Sequence, residues 1–205
     1  MSRAPSFDPL SARRRDASRP IGAGCVERLR AGEPDAFDEV YAACHVRLHA
    51  FLLRLTRDPA LARDLAQETW LRLAANARRL APGSDPGAWV FTVARNLYVS
   101  RRRWALLDHA RRLELFFGQR ERSAPSPLEQ ACSDELQRAL ERALAALALP
   151  EREVILLVCV EGFGAHEVAA MLEISPAAVR KRLSRARARV LAALPEDLIA
   201  EREQP

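Results

Sequence analysis

Along most of the chain apolar residues recur at helical rather than strand period. Phe37, Val40, Tyr41, Cys44, Leu48, Phe51, Leu52 and Leu55 follow one another at three- and four-residue intervals, which places them on one stripe of an amphipathic helix. Asp58-Pro59 breaks that pattern, because proline biases the preceding residue away from helix and presets a new first turn. A second helix is predicted from Pro59 to Arg79, with Leu61, Leu65, Trp70, Leu71 and Leu73 on its apolar side. Ala81-Pro-Gly-Ser-Asp-Pro-Gly87 has loop chemistry throughout. A third helix is predicted from Ala88 to Trp104, apolar at Trp89, Val90, Val93, Leu97 and Tyr98 and basic towards its end. A short helical piece with Leu113, Leu115, Phe116 and Phe117 then gives way to Gly118–Pro127, a stretch of linker composition. Beyond it Leu128–Leu149 is helical, and Pro150 opens a helix with acids in its first turn that stops at Gly162-Phe-Gly164. Two more helices follow, Ala165–Leu172 and Pro176–Leu194. No strand pattern, glycine-rich phosphate loop or internal repeat is visible.

This succession predicts an all-α fold of two small helical domains joined by a flexible linker, the second containing a helix-turn-helix. The expected divisions are a basic N-terminal extension over 1–20, a first domain over 21–104, a linker over 105–130, a second domain over 131–195 and an acidic tail over 196–205. With 205 residues and 49% hydrophobic content, each domain can bury a core. The longest apolar run, Val154–Val160, is seven residues long, far short of the roughly 20 that cross a bilayer. The Arg-rich start is followed by no apolar stretch of the secretory kind. Cys25, Cys44, Cys132 and Cys159 are widely spaced, which fits neither a disulfide framework nor a zinc ribbon and agrees with a reducing cytoplasm.

Charge sharpens the picture. The net charge is only +5, yet Ser175–Val190 holds six basic residues and no acid. The segment reads as a helix opened by Ser175 as cap and Pro176 at its first position, after a short helix with Val168 and Leu172 inward. Val179, Leu183, Ala186 and Val190 form its inward seam, while Arg180, Lys181, Ser184 and Arg185 occupy another face. In a helix-turn-helix the second helix enters the major groove. Arginine there can pair bidentately with guanine and serine can bond several bases. A basic surface helix can also be merely solvated; the coincidence of seam, cap and preceding short helix favours DNA binding.

These residues resemble a known family. Leu149-Pro-Glu-Arg-Glu-Val-Ile-Leu-Leu157, Glu161-Gly-Phe-Gly164, Glu167-Val-Ala169 and Val179-Arg-Lys-Arg-Leu-Ser-Arg-Ala-Arg187 are similar to the fourth domain of bacterial sigma factors, most of all the extracytoplasmic-function group. Ala62-Arg-Asp-Leu-Ala-Gln-Glu-Thr-Trp70 resembles the family's polymerase-binding helix, and Trp89-Val-Phe-Thr-Val-Ala-Arg-Asn-Leu97 its helix for the −10 promoter element. The resemblance spans about residues 27–194 and implies an alternative sigma factor that binds core RNA polymerase and directs promoter recognition and melting. It implies that Asp64, Gln67 and Glu68, which share one helix face by their i, i+3, i+4 spacing, meet the coiled coil of the β′ clamp, and that the second domain meets the β flap. For the −10 element it implies a flipped base held by the Ala81–Gly87 loop, with Ser84 and Asp85, and by Asn96, while Arg101, Arg102 and Arg103 hold phosphates beside Trp104. For the −35 element it implies reading by Arg180, Lys181, Ser184 and Arg185. Promoter DNA and an anti-sigma factor are the further partners implied; no catalytic residue, metal or cofactor is expected, and no membrane insertion.

Three positions depart from the family pattern: Ser100 where Asp is common, Glu173 where the turn often has Gly, and Arg63 where an acid is common. Two rival functions are weighed against the resemblance. A stand-alone helix-turn-helix regulator leaves the first domain without a task. An enzyme could use Cys44, His45 and His49, or Asp35, Asp38 and Glu39 around magnesium. The first trio lacks a Glu base and places Cys44 in the apolar seam; the second has the position of acids that complement a helix dipole.

Overall fold

The computed structural model describes residues 21–113 and 135–195. Every regular element among them is a helix. α1 (Cys25–Ala31) lies between Gly24 and Gly32, both left-handed at φ 81° and 84°, a conformation open to glycine without Cβ strain. The sequence pattern does not show this short helix, which buries Cys25, Val26 and Leu29. α2 (Pro34–Thr56) is tied to it by Arg28 and Glu39. α2 ends at left-handed Arg57, whose amide bonds Leu53 O at 2.9 Å. The Asp58 carboxylate then caps α3 (Pro59–Asn76), accepting from the Ala60 and Leu61 amides at 2.9 and 3.1 Å. The predicted break at Asp58-Pro59 thus has a physical agent on each side.

α2, α3 and α4 (Pro86–Leu113) enclose the first core. Val40, Cys44, Leu48, Phe51, Leu52 and Leu55 are buried as the periodicity predicts, while Phe37 is half-buried and Tyr41 is exposed. Those two rings instead pack on Trp70, at centroid distances of 6.3 and 4.9 Å. α3 buries Ala62, Leu65, Thr69 and Leu73. Leu71, predicted on the apolar side, is exposed, because two residues from Leu73 is about 200° around the helix. Leu61 and Trp70 are half-buried. In α4, Val90, Phe91, Ala94 and Leu97 enter the core, with Phe51 and Phe91 edge to face at 5.3 Å. Trp89, Val93 and Tyr98 pack at its margin.

α4 runs nine residues past Trp104, to Leu113, beyond the end predicted for the third helix. Ala105–Leu113 contains neither glycine nor proline, and nothing local stops the helix. The rest of the 105–130 segment, the 1–20 extension and the acidic tail lie outside the described residues.

The second half holds α5 (Glu135–Ala146), α6 (Leu149–Ile155) with a wider π turn over Leu156–Val160, α7 (Ala165–Leu172) and α8 (Pro176–Ala193). The seven-residue apolar run is divided between α6 and the π turn and is buried from Val154 to Cys159. A helix that is apolar all round belongs inside, and α6 packs on α8. Buried Arg152 closes the end of α5: its guanidinium donates to the carbonyls of Leu144, Ala145 and Leu147 at 3.1, 2.6 and 2.8 Å. Here the charged residues in the Leu-Pro-Glu-Arg-Glu run have a structural use.

Candidate nucleic-acid and polymerase interfaces

The turn between α7 and α8 depends on Glu173, at φ 55° and ψ 43°. The Glu173 and Ile174 amides bond the Ala170 and Ala169 carbonyls at 3.3 and 3.0 Å, which closes α7 in the manner usually given to glycine. Glu173 therefore keeps the left-handed turn rather than replacing it. Ser175 Oγ accepts from the Ala178 amide at 3.1 Å and starts α8 as the sequence predicts. Val179, Ala186 and Val190 are buried and Leu183 is half-buried.

The six basic residues of α8 are not equally available; Arg182 is half-buried. Arg189, though exposed, donates to Glu151 at 2.7 Å, and half-buried Arg187 donates to Cys159 Sγ at 3.4 Å, so both are engaged by the second half itself. Arg180, Lys181, Ser184 and Arg185 are all exposed on the outer face. The positive face free for a polyanion is thus narrower than the count of six suggests, and it lies in the N-terminal and middle turns, where a recognition helix reaches base edges.

On α4, Asn96 and Arg101, Arg102, Arg103 are exposed, and Trp104 is 69% exposed. Their helical rise spreads them over about 10 Å along one helix. The loop before α4 is internally braced: Ser84 Oγ donates to Ala81 O at 2.7 Å, and Asp85 Oδ1 accepts from the Gly87 amide at 2.7 Å. Asp85 is exposed and Ser84 half-buried. Some 15 Å of helical rise separates Pro86 from Asn96, so the loop and the amide mark two stations along one helix. Sequence reasoning missed Glu27 of α1, whose Oε1 accepts from the Gly83 amide at 3.2 Å and pins the loop tip. Only a contact between distant segments reveals it.

Asp64 and Gln67 are exposed on α3 and Glu68 is half-buried. Glu68 accepts from Arg72 at 2.8 Å, one turn on, and lies 3.9 Å from Arg101 of α4. The acidic face and the basic run therefore meet at one edge. Arg63 is exposed beside that face.

Cys44 is buried in the first core, where desolvation pushes its thiol up to about 11. His45 stacks on Tyr41 at 4.9 Å. Asp35 and Asp38 are exposed, while Glu39 turns back to Gly22 and Arg28. Among the described residues no three His, Cys, Asp or Glu side chains gather as a metal site, and no helix is long and apolar enough to cross a membrane.

Residues 40–105 match sigma-70 region 2, and residues 137–190 match sigma-70 region 4. The chain is 38% identical to the probable RNA polymerase sigma factor RfaY of Xanthomonas campestris pv. campestris, over 78% of this chain but only 40% of that longer protein. It is 34% identical to the ECF RNA polymerase sigma factor SigL of Mycobacterium tuberculosis, over 77% of this chain and 88% of that one. The crystal structure of the sigma factor RpoE with the anti-sigma factor NepR from Bartonella quintana has a chain 29% identical, with a TM-score of 0.59 over 71% of this chain and 88% of that one. Two family regions in order, a helix-turn-helix with its outer face basic, and a relative 34% identical over most of its length lead to one conclusion: the chain belongs to the extracytoplasmic-function group of RNA polymerase sigma factors.

Proposed function

We propose that the chain is an alternative sigma factor that binds core RNA polymerase through both halves and directs it to promoters. The observation that carries this reading is the outer face of α8, which exposes Arg180, Lys181, Ser184 and Arg185, while Arg187 and Arg189 are engaged by Cys159 and Glu151 of the same half. α8 reads the −35 element with those four residues. α4 tracks the non-template strand of the −10 element: Arg101, Arg102 and Arg103 hold phosphates, Trp104 offers a stacking face and Asn96 bonds a splayed base. Ser84 and Asp85 act at the upstream end of that helix. Asp64, Gln67 and Glu68 meet the β′ clamp coiled coil, and the second half meets the β flap. A base flipped out of the duplex and held by α4 is removed from the pairing equilibrium, which stabilises the melted strand. The chain makes and breaks no bond itself and works in the cytoplasm, with polymerase and promoter. Residues 21–104 and 131–195 act as its two domains, and an anti-sigma factor is a fitting regulator given the partner of the Bartonella relative.

A stand-alone regulator is not favoured, since it leaves the region 2 match unexplained. The test is run-off transcription by core polymerase, with and without this chain, across a promoter library. Stimulation confined to a defined pair of elements is expected. No stimulation on any template, or specific DNA binding by the pure chain without polymerase, overturns the reading.

A further inference from the structure

Three glutamates of the second half are buried without a place in any DNA or polymerase contact assigned above. Glu141 of α5, Glu153 of α6 and Glu161 at the end of the π turn have side chains only 2–3% exposed. Each meets an arginine of the first half. Arg54 grips Glu141 with a fork, Nη2 at 2.7 Å and Nε at 3.0 Å. Arg47 donates Nε to Glu161 Oε2 at 3.0 Å and Nη2 to Glu161 O at 2.9 Å. Arg95 donates Nε to Glu153 Oε1 at 2.8 Å. Arg47 and Arg54 are seven residues apart on α2, two turns and therefore one face. All three cations come from one half and all three anions from the other. Around them the apolar contribution includes Phe91 against Phe163, edge to face at 5.5 Å, with the Arg47 guanidinium 5.6 Å from the Phe91 ring.

We infer that these three ion pairs form a latch that holds the two halves in a closed resting conformer, and that promoter engagement requires the latch to open. The inference rests on the sigma-factor reading above. Reversibility follows from the chemistry of the contact. A permanent domain interface is built from apolar surface, which water punishes when it is exposed. Buried ion pairs contribute little net, because desolvation offsets their attraction, and on separation the arginines and carboxyl groups regain water. The ion pairs thus add little to the cost of opening when both partners leave together, the apolar part of that cost lying in contacts such as Phe91 on Phe163, and closure still fixes one orientation.

The need to open follows from distance. Glu153 lies on α6, which packs directly against α8, and it is bonded to Arg95 of α4. The recognition helix therefore stands within about two helix spacings of α4, roughly 20 Å. The −10 and −35 elements are about 25 base pairs apart, some 85 Å of B-form DNA. The latch also reaches the −10 residues themselves: Arg95 Nη1 donates to Asn96 Oδ1 at 3.1 Å. That contact occupies the amide oxygen proposed to bond a base. Closure thus forbids simultaneous reading of the two elements and engages part of one reader.

The test uses the full chain with dyes placed at exposed Arg30 of α1 and exposed Leu191 of α8, and single-molecule energy transfer. The unmodified chain alone should show one compact population, and core polymerase with promoter DNA should extend it. Arg54→Glu and Glu141→Arg should each extend the free chain, because each leaves like charges facing one another. The combined swap should restore the compact population, which a mere folding defect would not do; far-UV circular dichroism checks helix content throughout. If the closed form is about 90% populated, either single variant should bind core polymerase about tenfold more tightly, as the closed fraction no longer competes. An extended unmodified chain, or a swap that stays open while helical, overturns the latch. A chain that opens and closes as described but stimulates transcription nowhere overturns the sigma-factor reading instead.

Discussion

Arg152→Met tests the claim that this buried cation closes α5 and thereby holds the second domain together. Arg152 is 9% exposed and gives three hydrogen bonds of 2.6–3.1 Å to the carbonyls of Leu144, Ala145 and Leu147. A fourth, at 3.4 Å, reaches Leu55 O of the first half. Burial lowers the Arg152 pKa, and the nearby positive charges of Arg57 and Arg102 add to the effect. The site therefore tolerates the cation for its hydrogen bonds, not for its charge. Each charge-assisted bond contributes about 1.5–3 kcal/mol when it satisfies a buried group. Carbonyls at a helix end can recover water, so the three bonds should not add fully; about 3–5 kcal/mol is expected, below their sum. Against a domain stability of about 5–15 kcal/mol, that loss is severe. Urea unfolding followed by two probes separates the halves. All three tryptophans, Trp70, Trp89 and Trp104, lie in the first half, so their fluorescence reports that half while far-UV circular dichroism reports both. The variant should lose part of its helical signal at lower urea than its fluorescence transition, and lose −35-dependent transcription with it. A midpoint shift worth less than about 0.5 kcal/mol, the scatter of ordinary surface substitutions, would refute the reasoning.

Four further outcomes follow from the geometry. Asp64→Arg reverses charge on an exposed α3 position and should abolish core polymerase binding in a pull-down while leaving the thermal melt unchanged. Arg185→Ala should cost about 1–3 kcal/mol at one base pair of the −35 element in a competition assay with polymerase present; uniform weakening at every position would make it a phosphate contact. Glu173→Gly relieves the left-handed strain at φ 55° and should raise the stability of the second half by about 0.5–1 kcal/mol, since the left-handed penalty of about 1–2 kcal/mol exceeds glycine's entropic cost. Burial, opposed by Arg47 and Arg54, pushes the Glu161 carboxyl up to about 7 from 4.5. The closed form then holds more protons than the open or unfolded chain, so the stability Glu161 contributes is full below about pH 4.5 and is lost as pH rises towards 7. Glu161→Gln should flatten the fall in unfolding free energy between pH 5 and 7, measured by urea titration, and equal slopes would count against the assignment.

Much of this molecule is legible without coordinates. Helical periodicity marks α2, and Asp58-Pro59 and Ser175-Pro176 mark helix starts by local chemistry, because an N-cap and a proline at the first position act within four residues. The outer face of α8 follows from the spacing of Val179, Ala186 and Val190. α1 is hidden because seven residues between two glycines give too short a pattern, and Leu71 is misplaced because a dense apolar run does not say which side faces the core.

The sequence by itself determined most of the helices, the family and the chemistry of the faces, because these depend on interactions a few residues apart. The tertiary structure alone decided which charges remain available. Arg185 and Arg189 are one turn apart on α8 and both exposed, yet Arg189 is already bonded to Glu151. Glu141, Glu153 and Glu161 read as ordinary solvated acids until arginines 58 to 114 residues away are folded against them. Long-range electrostatics has no sequence period, so its partners become visible only when the two halves are brought together.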